Sequence, residues 1–173
     1  MKPAIFLLFS LFLFQNIFAQ TVPSFTGETL KNKTVTIPAD TKGKFTFICF
    51  AMSAKAEQEL ETWLDPVYNK FIAKTGLMDD MYDVNVFFIP VFRGSNASMM
   101  ESVKRRFNET AQEDVKDHVL FCKSDLEEVT TALQIMDDHT PYFFLLNAEG
   151  KIIYRTSGSF SEQKFDAIDD KIE

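Results

Sequence analysis

The two cysteines are the residues of this chain best suited to covalent chemistry, because a thiolate is a strong nucleophile and paired thiols exchange electrons. Cys49 lies inside the apolar segment formed by residues 45–50, and Cys122 lies far along the chain in a second apolar segment. Dithiol exchange needs a thiolate of low pKa at the start of a helix, with a second thiol beside it. Neither cysteine has such a neighbour in the sequence, so the spacing does not indicate a dithiol redox site.

A peroxidase would need one reactive cysteine. Thr46 lies three residues before Cys49, and this segment resembles the peroxidatic segment of the peroxiredoxins, in which the threonine orients the peroxide. The resemblance implies a thiol oxidoreductase or peroxidase that uses Cys49, either as a one-cysteine enzyme or with Cys122 as a candidate resolving thiol. That family has a proline seven residues before its cysteine, where this chain has Lys42. A thiol within an apolar strand is desolvated, which raises its pKa. We therefore interpret Cys49 as a core residue and keep the enzyme as the alternative.

A disulfide between the two cysteines is a further alternative if the chain reaches an oxidising compartment. We expect the strand of Cys49 to pair with a strand over residues 83–92, and that strand to pair with the strand of Cys122. Two strand spacings amount to about 9.6 Å, whereas a disulfide needs Cα atoms within about 7 Å of each other. The expected strand order therefore argues against a disulfide.

Polar residues follow the first long apolar segment, at the start of a predicted helix. Ser53 is a candidate N-cap, and Lys55 follows it in the first turn. A helix N-terminus can hold an anion, so this loop is a candidate binding position. The two histidines, His118 and His139, are far apart in the sequence, and no Cys/His cluster accompanies them. We therefore expect no metal site and no cofactor.

Apolar spacing and capping residues predict the elements that would position these side chains. Strands and helices alternate in the order β-α-β-α-β-α-β-β-α after an N-terminal hairpin. Ser53 and Ser161 are expected to cap the first and last helices. Pro66 is expected to bend the first helix, since proline cannot donate the interior hydrogen bond. The two middle helices are expected to start at Asn96 and at residues 124–125.

A proline near the C-terminus gives the most specific resemblance. Thr140 and Pro141 precede an apolar strand, an acidic turn at Glu149 and Gly150, and a second strand from Lys151. This pattern resembles the cis-proline hairpin of the thioredoxin-like superfamily, and the resemblance covers about residues 22–173. It implies a three-layer α/β/α sandwich with a central mixed sheet, an N-terminal hairpin extension, and a cis bond before the proline.

The same resemblance implies a binding surface rather than an enzyme. Where the superfamily carries Cys-x-x-Cys, this chain has residues 51–57, which contain no cysteine. The loop before a cis-proline leaves backbone groups free to pair with an extended chain, and this pairing needs no thiol. We therefore predict that an extended peptide or a partner protein binds a groove formed by Ser53, Lys55, His139, Thr140 and Pro141.

A second resemblance points to assembly. The strand of Cys49, together with Gln58, Trp63 and Pro66, is similar to the thioredoxin-fold factors that assist mitochondrial ATP synthase assembly and that also lack a conventional dithiol motif. The resemblance implies an assembly role without redox chemistry. A purely structural subunit of a larger assembly remains a third hypothesis.

The N-terminus predicts export. Residues 1–19 combine Lys2, an apolar run and Ala19 before Gln20, which is the pattern of a cleaved signal peptide. The apolar run is shorter than the ~20 residues of a spanning helix, so we expect a domain over residues 20–173 without a stable membrane span. A retained anchor is the alternative. The expected location is periplasmic or secreted, and the net charge of −7 argues against nucleic acid as a partner.

Overall fold

The structure of the protein is a computed structural model that describes residues 20–123 and 126–172. The export signal predicted for residues 1–19 and the helix start predicted at residues 124–125 lie outside the described part. Within that part, the chain forms a central mixed sheet covered on both faces, which confirms the predicted three-layer sandwich.

The strands are β1 (Phe25–Thr29), β2 (Thr34–Ile37), β3 (Phe45–Ala51), β4 (Val84–Pro90), β5 (Leu120–Phe121), β6 (Tyr142–Leu146) and β7 (Ile152–Ser157). The helices are α1 (Ala54–Val67), α2 (Met100–Thr110), α3 (Glu127–Ala132) and α4 (Glu162–Asp169).

The central sheet has the strand order β4-β3-β6-β7. β3 pairs in parallel with β4 and antiparallel with β6, and β6 pairs antiparallel with β7. A parallel pair needs a long crossover, which α1 supplies between β3 and β4. The tight β6–β7 turn ends at Gly150, which has a φ of +80° that favours glycine.

A smaller sheet in the order β2-β1-β5 contains the expected N-terminal hairpin. β5 also extends the central sheet, because Val119 just before it forms a parallel bridge with Phe88 of β4. The predicted adjacency of the Cys122 segment to β4, and of β4 to β3, is therefore confirmed.

The central sheet buries different residues on its two faces. Ile48, Phe50 and their same-face neighbours pack against the β1–β2 hairpin and α3. Phe47 and Cys49 point the opposite way, toward α1 and α4. α2 covers a third cluster around Val119 and Phe121. Because both faces of β3 are covered, its sequence is apolar throughout, apart from Thr46.

The capping predictions hold where the structure describes them. The Ala56 N–H donates to Ser53 Oγ at 3.3 Å, and the Lys164 N–H donates to Ser161 Oγ at 3.4 Å. Pro66 lies inside α1, and the chain continues directly into a π-helical turn over Tyr68–Ile72. α2 begins at Met100 after a 3-10 turn over Gly94–Met99, so it starts later than the predicted position at Asn96.

Candidate functional site

The thiol of Cys49 is enclosed in the core. Its side chain is fully buried on the α1 face of the sheet, among aromatic neighbours. In the strand register it lies between Phe88 of β4 and Phe143 of β6. Burial raises the pKa of the Cys49 thiol well above its ordinary value. Position and desolvation both disfavour a nucleophilic thiolate here.

Cys122 lies on the other side of the sheet and is also a free thiol. It packs in the cluster that holds Leu120 and Ile48, whereas Cys49 packs in the cluster on the α1 face. Burial raises the pKa of Cys122 to about 12. The structure therefore does not bring the two cysteines together, and each has the environment of a buried structural cysteine.

The structure also separates Thr46 from Cys49. Side chains alternate between the faces of a strand, so two residues three positions apart point in opposite directions. Thr46 is buried, and its hydroxyl accepts a hydrogen bond from the Asn85 side-chain amide at 3.2 Å. The arrangement needed to orient a peroxide at Cys49 is therefore not formed by these two residues.

The residues of the predicted peptide groove meet at the carboxyl end of β3. Ser53 Oγ donates to the Asp138 carbonyl at 2.7 Å, which ties the start of α1 to the loop of residues 137–141. We call this region the loop surface, formed by Ser53, Lys55, His139, Thr140 and Pro141. Lys55 and His139 are exposed, Ser53 and Thr140 are half-buried, and Pro141 is buried.

Asp137 forms hydrogen bonds with two residues of the loop surface. Its carboxylate accepts hydrogen bonds from the His139 N–H and from the Thr140 hydroxyl, each at 2.8 Å. These two donors, the backbone N–H first, lower the pKa of Asp137. The Asp137 N–H itself donates to the Tyr142 hydroxyl at 3.2 Å. The loop is therefore kept in one shape by its own polar groups.

The prediction of a cis peptide bond before Pro141 is wrong. Among the described residues the cis peptide bond is Ile37–Pro38, and Thr140–Pro141 is trans. The trans form of an X–Pro bond is intrinsically favoured by about 0.5–1 kcal/mol. The Pro141 carbonyl is already engaged, because it accepts a hydrogen bond from the Gly158 N–H at 3.0 Å. The cis-proline groove of the resemblance is therefore not formed in that way here.

Arg93 is the residue of this region that the sequence prediction missed. It forms an ion pair with Asp138, and its guanidinium donates to Thr130 Oγ1 and to Met52 Sδ at 3.3 Å each. It thereby connects the β4 end, α3 and the loop surface. Arg93 follows shortly after a strand that runs parallel to β3, so its chain position places it at the same sheet edge as Ser53.

A second feature that the sequence prediction missed is a groove beside the loop surface. Residues of α1 and α2, together with the carboxyl end of β4, line a space of about 620 Å³. We call it the α1–α2 groove. Its floor includes Phe88 and Pro90, and its walls include Leu64 on α1 and Phe107 on α2. The volume is within the range of ligand-binding clefts.

The described residues offer no metal site by geometry. In residues 20–123 and 126–172, no three His, Cys, Asp or Glu side chains are grouped so that they could hold an ion. The same residues contain no helix of the length and apolar character needed to cross a membrane.

The sequence of the chain matches the model of the family described as ATP10 protein, over residues 10–171. No curated protein matches it in sequence.

Solved structures similar to this one are thioredoxin-like. The exposed lipoprotein thioredoxin Etrx1 of Streptococcus pneumoniae aligns with a TM-score of 0.60 and 13% identity, covering 86% of this chain and 99% of that chain. A thiol-disulfide oxidoreductase from Bacteroides fragilis has a TM-score of 0.55 and 12% identity, with coverage of 89% and 100%. BsSco, from the Sco family of cytochrome c oxidase assembly proteins, has a TM-score of 0.60 and 15% identity, with coverage of 88% and 92%. At these identities the likeness shows the fold alone.

Proposed function

The chain belongs to the ATP10 protein family, and from this premise we propose that it is an exported assembly protein that binds a partner protein without thiol chemistry. The partner complex we propose is of the ATP synthase type, as for the assembly factors that the sequence resembles. We further propose that residues 1–19 direct export, to the periplasm or the medium.

The observation that carries this proposal is the environment of the two thiols. Both cysteines are buried on opposite faces of one sheet, and burial raises both thiol pKa values. The helix start that would present a dithiol motif instead carries Ser53, whose hydroxyl caps α1 and contacts the Asp138 carbonyl. A domain with this geometry has little capacity for disulfide exchange, but it keeps a shaped surface at the same place.

Partner binding is assigned to the loop surface. Lys55 and His139 are exposed on it, and Thr140 is half-buried. Asp137 and Arg93 hold the loop through hydrogen bonds and an ion pair, so little conformational entropy would be lost when a partner binds. The first turn of α1 adds the partial positive charge of a helix N-terminus, which favours an acidic or carbonyl-rich segment.

A thiol-dependent oxidoreductase that uses Cys49 is the alternative, favoured only by the thioredoxin-like fold and by names such as thiol-disulfide oxidoreductase among similar structures. Its reactive group would be a thiol that the folded protein encloses completely. This alternative therefore requires an opening of the core before each turnover.

The proposal is tested by deleting the gene in its source organism and measuring assembled ATP synthase by native electrophoresis and ATP hydrolysis. Loss of the assembled complex is expected, with restoration by wild type and equally by the cysteine-free variant Cys49→Ala/Cys122→Ala. Lys55→Glu should restore less than its control Lys42→Glu, an exposed charge reversal outside the loop surface. Normal assembly in the deletion strain would overturn the proposal. Failure of a folded cysteine-free variant would favour the enzyme.

A further inference from the structure

The α1–α2 groove is a second surface, separate from the loop surface, and its walls carry opposite charges. On α1, Glu57, Glu61 and Asp65 recur every four residues and therefore form one row along the helix. A parallel row formed by Leu60, Leu64 and Tyr68 lies beside it and also lines the groove. The α1 wall is thus apolar inside and acidic at its rim.

The opposite wall carries one positive charge at its rim. Arg106 of α2 is exposed and lines the groove, whereas Lys104 lies on another face of α2 and forms an ion pair with Glu28 at 2.6 Å. Phe107 lines the groove below Arg106 and packs edge-to-face against Phe121 of the core, with ring centroids 6.3 Å apart. Phe107 therefore joins the apolar interior of the groove to the core. The rim is acidic on the α1 side and carries Arg106 on the α2 side.

A hydrogen bond crosses the end of the groove near the last turn of α1. The Tyr68 hydroxyl donates to an Asp114 carboxylate oxygen at 2.6 Å, which links the end of α1 to the chain after α2. This bond lowers the pKa of Asp114 and raises the pKa of Tyr68, so it persists at neutral pH. The walls are therefore connected at one end by this hydrogen bond.

Glu57 shows that the groove is partly desolvated before anything binds. Burial raises the pKa of Glu57, while the charge of Arg106 across the groove acts in the opposite direction. A cationic side chain of a partner would stabilise the charged form of this carboxylate more than it would in bulk water, because the local dielectric is lower.

From these observations we propose that the α1–α2 groove binds an amphipathic helix of a partner protein, with basic residues along the edge that faces α1 and an acidic residue opposite Arg106 of α2. The apolar ridge of that helix fills the space over Phe88, and the charged edges pair with the two rims. Because turning the helix end to end would exchange its edges, the two rims also select its direction. The acidic row from Glu57 to Asp65 spans about 12 Å, or two turns of a bound helix.

The test uses the purified protein and a fluorescein-labelled synthetic helix of about 18 residues, which is ~27 Å long. It carries leucines on one face, lysines on one edge and glutamates on the other. Fluorescence anisotropy is expected to show saturable binding that weakens as salt rises. A peptide of the same composition with scattered leucines should bind at least about tenfold more weakly, because it presents no apolar ridge. Absence of saturable binding to wild type, or equal binding of the scattered peptide, would overturn the proposal.

Two charge-reversed double variants test whether the peptide binds at the acidic rim of the α1–α2 groove. Glu61→Lys/Asp65→Lys reverses exposed residues of the acidic rim and should weaken binding by about tenfold. Glu101→Lys/Glu109→Lys makes the same change in net charge at exposed positions of α2 that do not line the groove, and should stay within about twofold of wild type. Equal loss in both variants would overturn the proposal, because it would show attraction by net charge alone.

A third variant separates this inference from the proposed function. Lys55→Glu changes the loop surface and should leave peptide affinity unchanged, and a loss there would place the peptide at the loop surface and overturn the groove assignment. The peptide assay can fail while the deletion strain still shows the assembly defect, and the reverse can also occur. The two proposals therefore stand or fall separately.

Discussion

The two flanks of α1 are built in opposite ways. Toward α4, the helix is sealed by rings: Trp63 lies with its ring centroid 4.2 Å from that of Phe143 and 5.4 Å from that of Phe160. Toward α2, the same helix borders the open α1–α2 groove, with half-buried Leu64 and charged residues at the rim. One flank is closed by aromatic packing, while the other keeps an unfilled apolar surface of the kind that partners bind.

The largest expected effect comes from the sealed flank. Trp63 is fully buried, and its indole N–H donates to the Gly158 carbonyl at 2.9 Å. Trp63→Ala should lower the free energy of unfolding by about 3–5 kcal/mol, because it leaves a cavity and an unpaired carbonyl. Urea unfolding followed by far-UV circular dichroism measures it. Trp63→Phe is the control and should recover part of the loss. A loss below about 1 kcal/mol in the alanine variant would contradict the comparison.

The next effect concerns alkaline pH and the buried thiols. In the unfolded chain a thiol ionises near pH ~8.5, whereas burial raises the pKa of Cys122 to about 12 and that of Cys49 well above its ordinary value. Between these limits the unfolded state has lost protons that the folded state keeps, so stability falls as pH rises. The expected slope is about 1.4 kcal/mol per pH unit for each thiol.

Urea unfolding at several pH values from 7.5 to about 10 measures this slope. Cys49→Ala/Cys122→Ala is the matched control, since it keeps every other titrating group and should show a shallower decline. Identical slopes in both proteins would mean that the thiols are not held neutral by the fold.

The open flank should tolerate truncation. Leu64 is half-buried at the groove wall, so Leu64→Ala removes less surface from contact and leaves no closed cavity. We expect a loss of about 1 kcal/mol in the free energy of unfolding, well below that of the adjacent Trp63→Ala. The same urea series measures both variants. Comparable losses at the two positions would show that the groove is closed in solution.

The smallest expected effect is a gain in stability, unlike the losses expected for Trp63→Ala and Leu64→Ala. Burial raises the pKa of Glu57, so its charged form is less favourable in the folded protein than in the unfolded chain. At acidic pH Glu57 is neutral in both states and costs no stability. As pH rises from its pKa in the unfolded chain through its raised pKa in the folded protein, the folded state loses stability. Glu57→Gln should therefore be slightly more stable than wild type at pH 7, and the difference should vanish at pH 4. Thermal unfolding at the two pH values measures it, and destabilisation at pH 7 would contradict the account.

Much of the fold follows from local sequence patterns. The apolar run of β3 predicts a strand covered on both faces, and Ser53 and Ser161 cap the helices as their positions indicate. The opposite directions of Thr46 and Cys49 could also have been inferred, because a spacing of three cannot place two side chains on one face of a strand.

Other features depend on packing between distant segments and could not be read from the chain. The α1–α2 groove depends on the packing of α2 against Val119 and Phe121. No local sequence pattern determines the distance between α1 and α2. The contacts of Arg93 join it to Asp138 and Thr130, which lie far along the sequence. The trans bond before Pro141 differs from the superfamily pattern, and the local Thr-Pro sequence is compatible with either isomer.

The most direct test of the central claim, that this thioredoxin-like protein works without thiol chemistry, is the intact mass of the purified protein after brief peroxide exposure and alkylation. The samples are alkylated under native and under denaturing conditions. The account predicts no mass change from peroxide and alkylation of both Cys49 and Cys122 only after denaturation. Loss of two hydrogens, or addition of oxygen to a cysteine in the native protein, would show a reactive thiol and contradict the account.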